Sequence, residues 1–509
     1  MLEGMIELAF VPDRASALPV YRQLGDALRA LIDRGRLGPG VKLPATRELS
    51  AALGLHRNTV SRAYQDLVGE GYLTAHVGQG TFVARRPPRG LPDRPAASGP
   101  ETDEFVWEGL FAHRVRDLSL PPGFRRLGDA ARTHPVEYSF RGGQVAADAL
   151  PEKDLRRAFD RIVSYRLPEL ANLHEPRGYA PLRRAIAQHL VTRGIACGAD
   201  DVLVVNGSQQ AIDLLARVLL DPGDTVVVEQ PGYFGATLAF GAAGANLVGV
   251  PVDEDGLRTD RLERVLRGRR VKLVCVTPSA HCPTSVTMSE RRRQELLALS
   301  DEHEVPIVED DYDSELRYEG PPITALKGQD PAGRVIYVGT FSKIIFPSLR
   351  LGYLVAAPAL LNKLVLSRWV ADAQPSVVPQ AALAELLDSG ALDRHVRRMR
   401  KLYSERLAAM LAALEASMPD GARWSRPPGG HLVWVTLPAG TDPDGLFEAA
   451  FAAGIEYTPG EVFHFDGQGR ENLALSFTNM TPEAIGAGVA RLGEILHRQR
   501  ARPRRRSER

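Results

Sequence analysis

The chain predicts an α/β protein in two unequal parts: a small helix-turn-helix head, then a large domain on a mostly parallel central sheet. Three observations carry this reading. Apolar, β-branched runs at Val202–Val205, Thr225–Glu229, Leu273–Thr277, Val305–Glu309 and Val335–Val338 alternate with helical patterns. Continuous apolar strands separated by helices build a parallel sheet covered on both faces. Ahead of them, two short amphipathic segments meet at Gly54 and lead into a glycine-tipped hairpin. Between the two parts, Arg85–Asp103 holds five prolines and few apolar residues, the composition of a linker. The expected division is a head at 15–84, a linker at 85–130, a sheet domain at 131–496 and a basic tail at 497–509.

Composition limits the function classes. The length of 509 residues predicts several units at about 150 residues each. The 63 Lys and Arg nearly cancel the 62 Asp and Glu, leaving +1. That excludes a wholly basic or wholly acidic protein and leaves open a basic surface on one part. Three cysteines, Cys197, Cys275 and Cys282, form no C-x-x-C pair and cannot support a disulfide scaffold. The start MLEGMIELAF lacks the basic lead and long apolar core of a signal peptide. No apolar run reaches the ~18 residues of a membrane span, so a cytoplasmic protein without membrane contact is expected.

In the head, Tyr21, Leu24, Leu28, Leu31 and Ile32 recur at helical spacing, and Gly38-Pro39-Gly40 ends that segment. Ala45–Leu53 is a short helix with Leu49, Ala52 and Leu53 on one face; Gly54 makes the turn. A second helix opens at His56-Arg57-Asn58-Thr59 and buries Val60, Ala63, Tyr64 and Leu67. Such a pair presents the first residues of its second helix to base edges. Here these are Arg57, Asn58, Thr59 and Arg62, suited to guanine, adenine, and phosphate or thymine methyl. Strand-like Tyr72–Thr74 and Thr81–Val83 flank Val77-Gly78-Gln79-Gly80, a tip small enough to approach a DNA backbone. The tail from His497 to Arg509 holds seven arginines and is expected to be disordered.

Four motifs in the sheet domain point to one chemistry. Asn206-Gly207-Ser208-Gln209-Gln210 joins a strand to a helix, where free N–H groups and the helix dipole favour a phosphate. Gln230-Pro231-Gly232-Tyr233 places an aromatic at a strand's C-terminal end, where α/β folds bind ligands and a ring can stack. In Glu309-Asp310-Asp311-Tyr312-Asp313, the carboxylates read either as a divalent-metal site or as one acid holding a protonated ring nitrogen beside a tyrosine donor. The fourth is Thr340-Phe341-Ser342-Lys343-Ile344-Ile345-Phe346-Pro347-Ser348-Leu349-Arg350. A lysine among apolar residues suits Schiff-base chemistry, with Ser342 and Arg350 as phosphate donors.

The segment LPATRELSAALGLHRNTVSRAYQDLVGEGYLTAHVGQGTFV closely resembles the GntR-type winged helix-turn-helix. LLARVLLDPGDTVVVEQPGYFGA, VEDDYDSE and GTFSKIIFPSLRLGY resemble fold-type I, aminotransferase class I proteins. The whole chain therefore resembles a MocR/GabR-type transcriptional regulator. The resemblance implies pyridoxal 5'-phosphate as cofactor and no metal. It makes Lys343 the Schiff-base lysine, Asp310 the partner of the pyridine nitrogen and Tyr312 the donor to the ring hydroxyl. Tyr233 would stack on the ring, while Ser208, Gln209, Ser342 and Arg350 would hold the phosphate. In the head it adds Arg47 as a phosphate contact and the wing, Gly78, Gln79 and Gly80, as a minor-groove contact. It further implies a double-stranded DNA operator and a domain-swapped homodimer.

Departures from the family pattern bear on function. Cys282-Pro283-Thr284-Ser285 replaces Asn-Pro-Thr-Gly, so Cys282 stands where an asparagine tunes the cofactor hydroxyl. Leu473-Ala474-Leu475 replaces Leu-Arg-Leu, and Ala474 cannot clamp a carboxylate. Arg141 or Arg426 is the candidate replacement. His56 stands where a capping serine is frequent. The expected function is a regulator that senses an amino compound (taurine or another amine) or pyridoxal phosphate itself; the alternative is an active aminotransferase that also binds DNA.

Overall fold

The computed structural model describes residues 10–13, 18–33, 35–76, 80–84, 110–112 and 118–501. It divides into two compact units, Met1–Val106 and Trp107–Arg509, and each is described by itself.

In the first unit, α1 (Val20–Asp33), α2 (Thr46–Leu53) and α3 (Arg57–Gly69) precede β1 (Leu73–His76) and β2 (Gly80–Val83). Leu24, Leu28 and Ile32 of α1 meet Val60, Ala63, Tyr64 and Leu67 of α3 in one core, as the 3.6-residue periodicity dictates. α2 buries Leu49 and Ser50, whereas Ala52, expected inside, is exposed. Gly54 closes α2 in the left-handed region at φ 63°, a conformation glycine adopts without steric cost. The hairpin is also bridged by the segment around Lys42, which periodicity did not reveal. Val83 N–H donates to Val41 O at 2.8 Å, and Leu43 N–H to Thr81 O at 2.8 Å.

The second unit holds β3 (Tyr138–Ser139), β4 (Val202–Val205), β5 (Thr225–Gln230), β6 (Asn246–Asp253) and β7 (Gly256–Leu257). β8 (Leu273–Val276), β9 (Ile307–Asp311), β10 (Val335–Thr340) and β11 (Gly352–Val355) follow. The large sheet has eight strands in the order β4-β11-β10-β9-β8-β5-β6-β7. β10, β9, β8, β5 and β6 are mutually parallel, and β11 runs antiparallel to both β10 and β4. Alternate strand residues enter opposite cores: Val226 and Val228 pack with the helix Ser208–Leu219, Val227 and Val274 on the other face. Burial on both faces is why these strands read as unbroken apolar runs.

A smaller sheet comprises β12 (Arg423–Trp424), β13 (Leu432–Thr436), β15 (Thr458–Pro459) and β16 (Asn472–Ser476) in the order β12-β13-β16-β15, and β14 (Ile455–Glu456) pairs with β3.

Two expected boundaries shift. A helix, Pro122–Thr133, occupies the end of the 85–130 stretch. Its prolines start the helix rather than extend a linker, and Phe124 and Leu127 face inward at helical spacing. The last helix, Pro482–Ala501, runs past 497, held by buried Ile495 and Leu496. Residues 502–509 and 85–109 lie outside the described residues. Among the described residues, no helix is long and apolar enough to cross a membrane.

Candidate cofactor pocket and DNA-reading surface

The parallel strands end on one side, and the loops leaving them build the pocket, the usual site in such sheets. All eight pocket residues expected from sequence, Ser208, Gln209, Tyr233, Asp310, Tyr312, Ser342, Lys343 and Arg350, line one cavity of about 170 Å³. Cys282, Thr340, Pro347 and His431 complete it.

At one end, Gly207 leads into the helix Ser208–Leu219 with φ 80°. A Cβ there would lie 2.7 Å from Arg350 Nη2, so glycine lets the guanidinium reach the helix start, where Nη2 donates to Asn206 O at 2.8 Å. Thr340 Oγ1 accepts from Ser342 N–H at 3.2 Å and holds the turn that carries Ser342 and Lys343. Free helical N–H groups, hydroxyls and a guanidinium converge here as an anion cradle.

A brace behind the cradle had no motif to announce it. Asp372 Oδ2 accepts from Asn206 Nδ2 and Gln210 Nε2, both at 2.8 Å. Buried Arg368 pairs with Asp372 and donates to Val204 O at 2.8 Å. Its signal was a charge on the apolar face of the helix Pro358–Asp372, four residues from Leu364.

In the middle of the cavity, the Tyr233 hydroxyl donates to Gln209 Oε1 at 3.0 Å. Asp310 Oδ1 and the Tyr312 hydroxyl are buried without a hydrogen-bond partner, a costly condition for polar groups. Burial, reinforced by Asp311 and opposed by Lys343, pushes the Asp310 carboxyl up to about 7. Its neighbours face elsewhere, because residues alternate along β9. Glu309 accepts from Leu326 and Lys327 N–H at 2.8 Å each. Asp311 accepts from Arg193 at 2.8 Å and from the Tyr337 hydroxyl at 2.7 Å, and these partners hold it below the ordinary carboxylate range despite burial. Asp313 pairs with His431 Nδ1. The four carboxylates of the motif thus diverge to separate partners, and Asp310 is the one that lines the cavity.

Two further parts of the wall come from distant sequence. His431 stands edge-on to Tyr312, ring centroids 5.7 Å apart. Gly143, at φ 88°, passes close enough that a Cβ would lie 3.5 Å from Lys343 Nζ. Cys282 is buried, and desolvation lifts its thiol to about 12, so it is a neutral SH at working pH. Ala474 is fully buried and paired across strands with Trp434 and Thr458. Of the two candidate replacements for its missing guanidinium, Arg426 pairs with Glu415 at 2.8 Å with both side chains mostly exposed. Arg141 lies 3.6 Å from the buried Glu456.

On the first unit, Arg47, Arg57, Asn58 and Arg62 are exposed and Thr59 is half-buried. His56 caps α3: its Nδ1 accepts the Asn58 N–H at 3.3 Å, so the imidazole takes the place of the usual hydroxyl. The Arg62 guanidinium lies 4.3 Å over the Tyr21 ring, which orients it by cation–π attraction. Gly80 has φ 112°, and a Cβ there would lie 2.9 Å from Lys42 Cε; Gly78 and Gln79 lie outside the described residues.

Comparison with known proteins gives these two surfaces a family. Residues 143–492 match the aminotransferase class I and II family, and residues 20–83 match the gntR family of bacterial regulatory proteins. The chain is 35% identical over 483 residues to the probable rhizopine catabolism regulatory protein MocR of Rhizobium meliloti, covering 94% of each chain. It is 34% identical over 470 residues to the HTH-type transcriptional regulator TauR of Rhodobacter capsulatus, covering 91% of this chain and 93% of that protein. Among solved structures, the alpha-aminoadipate aminotransferase LysN of Thermus thermophilus, complexed with N-(5'-phosphopyridoxyl)-L-leucine, matches with TM-score 0.72 and 33% identity over 78% of this chain and 99% of that one. The class is therefore a DNA-binding winged helix joined to an aminotransferase-fold domain. The chain belongs to the MocR-type regulators within the aminotransferase class I and II family, and its cofactor is pyridoxal 5'-phosphate. Its own residues fit that group: an anion cradle at Gly207, and two buried unpaired polar groups and a lysine lining the same cavity.

Proposed function

We propose that this protein is a cytoplasmic, ligand-responsive transcription regulator whose aminotransferase-like domain detects an amino compound, or the cofactor itself, through Lys343. The observation that carries the reading is the pairing of Lys343 with the two orphaned groups, Asp310 Oδ1 and Tyr312 OH, in one cavity. Lys343 carries the cofactor covalently, and the cofactor's aldehyde carbon supplies the chemistry by which an effector amine displaces the lysine.

The protein's own groups then have distinct tasks. Asp310 gives up its proton-binding preference to hold a protonated ring nitrogen, while Tyr312 donates to the ring hydroxyl. Tyr233, anchored by Gln209, covers the ring face, and Ser208, Gln209, Ser342 and Arg350 hold the phosphate. A Lys343 side chain freed of the cofactor would occupy the cavity beside Gly143, and that local change of packing biases two states of the protein. The head binds a double-stranded operator through Arg47, Arg57, Asn58, Thr59, Arg62 and the Gly78-Gln79-Gly80 wing. A homodimer that exchanges heads across its partner suits a two-half-site operator.

The test is the visible spectrum of the cofactor-loaded chain during titration with amines, amino acids and taurine. A band that shifts with one compound and then persists supports a sensor. Conversion of the cofactor to its amino form, with release of a carbonyl product, would make the protein an aminotransferase that reads DNA. Absence of any band after loading would overturn the role of Lys343.

A further inference from the structure

Beyond Cys282 the apolar side chains of the pocket wall gather into one cluster. Cys282 and Ala474 come from distant parts of the sequence, yet they meet in one buried cluster with Leu432, Val462 and Phe463. Tyr233 and Tyr312 belong both to its margin and to the Lys343 cavity, so cluster and cavity are continuous. Phe124, Phe234 and Trp434 pack on it and are only half-buried, leaving ring surface open. These rings form a connected set: Phe124 and Phe234 centroids are 4.9 Å apart, and Trp434 stands edge-on to Phe463 at 5.7 Å. A cation at the margin, Arg141, has Phe124 6.0 Å from its guanidinium, but the buried Glu456 carboxylate already faces it at 3.6 Å.

We infer that the effector is a primary amine whose far end is an uncharged aromatic or branched-alkyl group, not an amino acid or an aminosulfonate. The inference rests on the proposed role of Lys343 and sharpens it. With Ser208, Gln209, Ser342 and Arg350 at the phosphate end and Tyr233 on the ring face, the Cys282–Ala474 cluster would be the apolar surface offered to the far end of an amine. A carboxylate or sulfonate there would lose its water, and the guanidinium at the margin, Arg141, already faces the Glu456 carboxylate. An aromatic ring would instead gain apolar contact with Phe124 and Trp434. Those two half-buried rings are specificity-determining residues, and Ala474, directly across the strands from Trp434, is where a longer side chain would intrude.

The test uses the full chain loaded with pyridoxal phosphate and three probes: phenethylamine, phenylalanine and taurine. Binding is read by calorimetry and by the visible band. Phenethylamine is expected to bind about tenfold to hundredfold tighter than either charged probe, the range set by burying one unpaired polar group. Phe124→Ala should weaken phenethylamine selectively while leaving the cofactor band unchanged, and Ala474→Arg should move the preference toward phenylalanine. Equal or tighter binding of phenylalanine or taurine to the unaltered chain overturns the inference while leaving the Lys343 reading in place. A band that none of the three shifts also overturns it. No band after loading overturns the Lys343 reading, and the effector class falls with it. The comparison on the unaltered chain stands even if Ala474→Arg does not fold.

Discussion

The cofactor pocket and the DNA-reading surface both collect polar side chains, but in opposite states. In the pocket, Asp310 Oδ1 and the Tyr312 hydroxyl are buried and unpaired. On the head, Arg47, Arg57, Asn58 and Arg62 are exposed and stay hydrated until DNA arrives. A buried unpaired group costs free energy until its ligand supplies a partner, so the pocket couples occupancy to stability. An exposed one costs almost nothing, so the head couples its residues to affinity alone.

That contrast can be broken experimentally, beginning with the largest effect. Lys343→Ala should abolish the visible band and the effector response entirely, while salt-sensitive DNA binding by the head persists; loss of DNA binding with the fold intact would contradict the separation.

Gly207→Ala should come next. Its Cβ would stand 2.7 Å from Arg350 Nη2 in a left-handed backbone, at a cost of about 1–3 kcal/mol in strain, seen as weakened cofactor binding and a lower Tm.

Arg57→Ala should cost about 1–3 kcal/mol of specific operator binding if it reads a guanine. Its Tm should not move. A shifted Tm would show that the exposed surface is also structural.

The pH dependence is subtler. Asp310 has an ordinary pKa of 3.8 and is pushed up to about 7 in the folded chain. Between those values the folded state holds more protons than the unfolded state, so the stability of the cofactor-free protein falls as pH rises through that window. Glu229, buried and likewise pushed up to about 7, contributes in the same sense. In Asp310→Asn the slope of Tm against pH should flatten while cofactor affinity drops; an unchanged slope would mean Asp310 is already ionised near neutrality.

Smallest is the cap: His56→Ala should destabilise α3 by about 1 kcal/mol, measured on the thermal transition of the head.

The pocket was legible from sequence because each of its four motifs is local: a strand end and the loop that leaves it. Ser208, Tyr233, Asp310 and Lys343 each sit where a strand stops, and a parallel sheet gathers such ends on one side. What stayed hidden is nonlocal. His431 arrives from the start of β13, Gly143 from a loop before the sheet, and Asp372 from the far end of a helix. None carries a motif of its own, and only the packing brings them in. The head shows the same division. α3 buries its four predicted residues, whereas the bridge at Lys42 has no periodicity of its own, being defined by hydrogen bonds to β2. The helix at Pro122 lies past the proline-rich 85–103 stretch, and Pro121 and Pro122 open its first turn.

The run Glu309 to Asp313 has one more consequence. Successive carboxylates serve a backbone loop, the cavity, the Arg193–Tyr337 pair and His431 in turn. Their chemistry is interchangeable on paper, but their addresses are not. A one-residue deletion upstream in β9 would keep every acid and still bring an aspartate, Asp311, to the cavity, but it would carry Tyr312 to the Arg193–Tyr337 site and Asp313 into the place of Tyr312, as a key cut correctly but inserted one notch short. The strand therefore tolerates conservative substitution better than any change in length, a constraint that alignment by composition alone would never reveal.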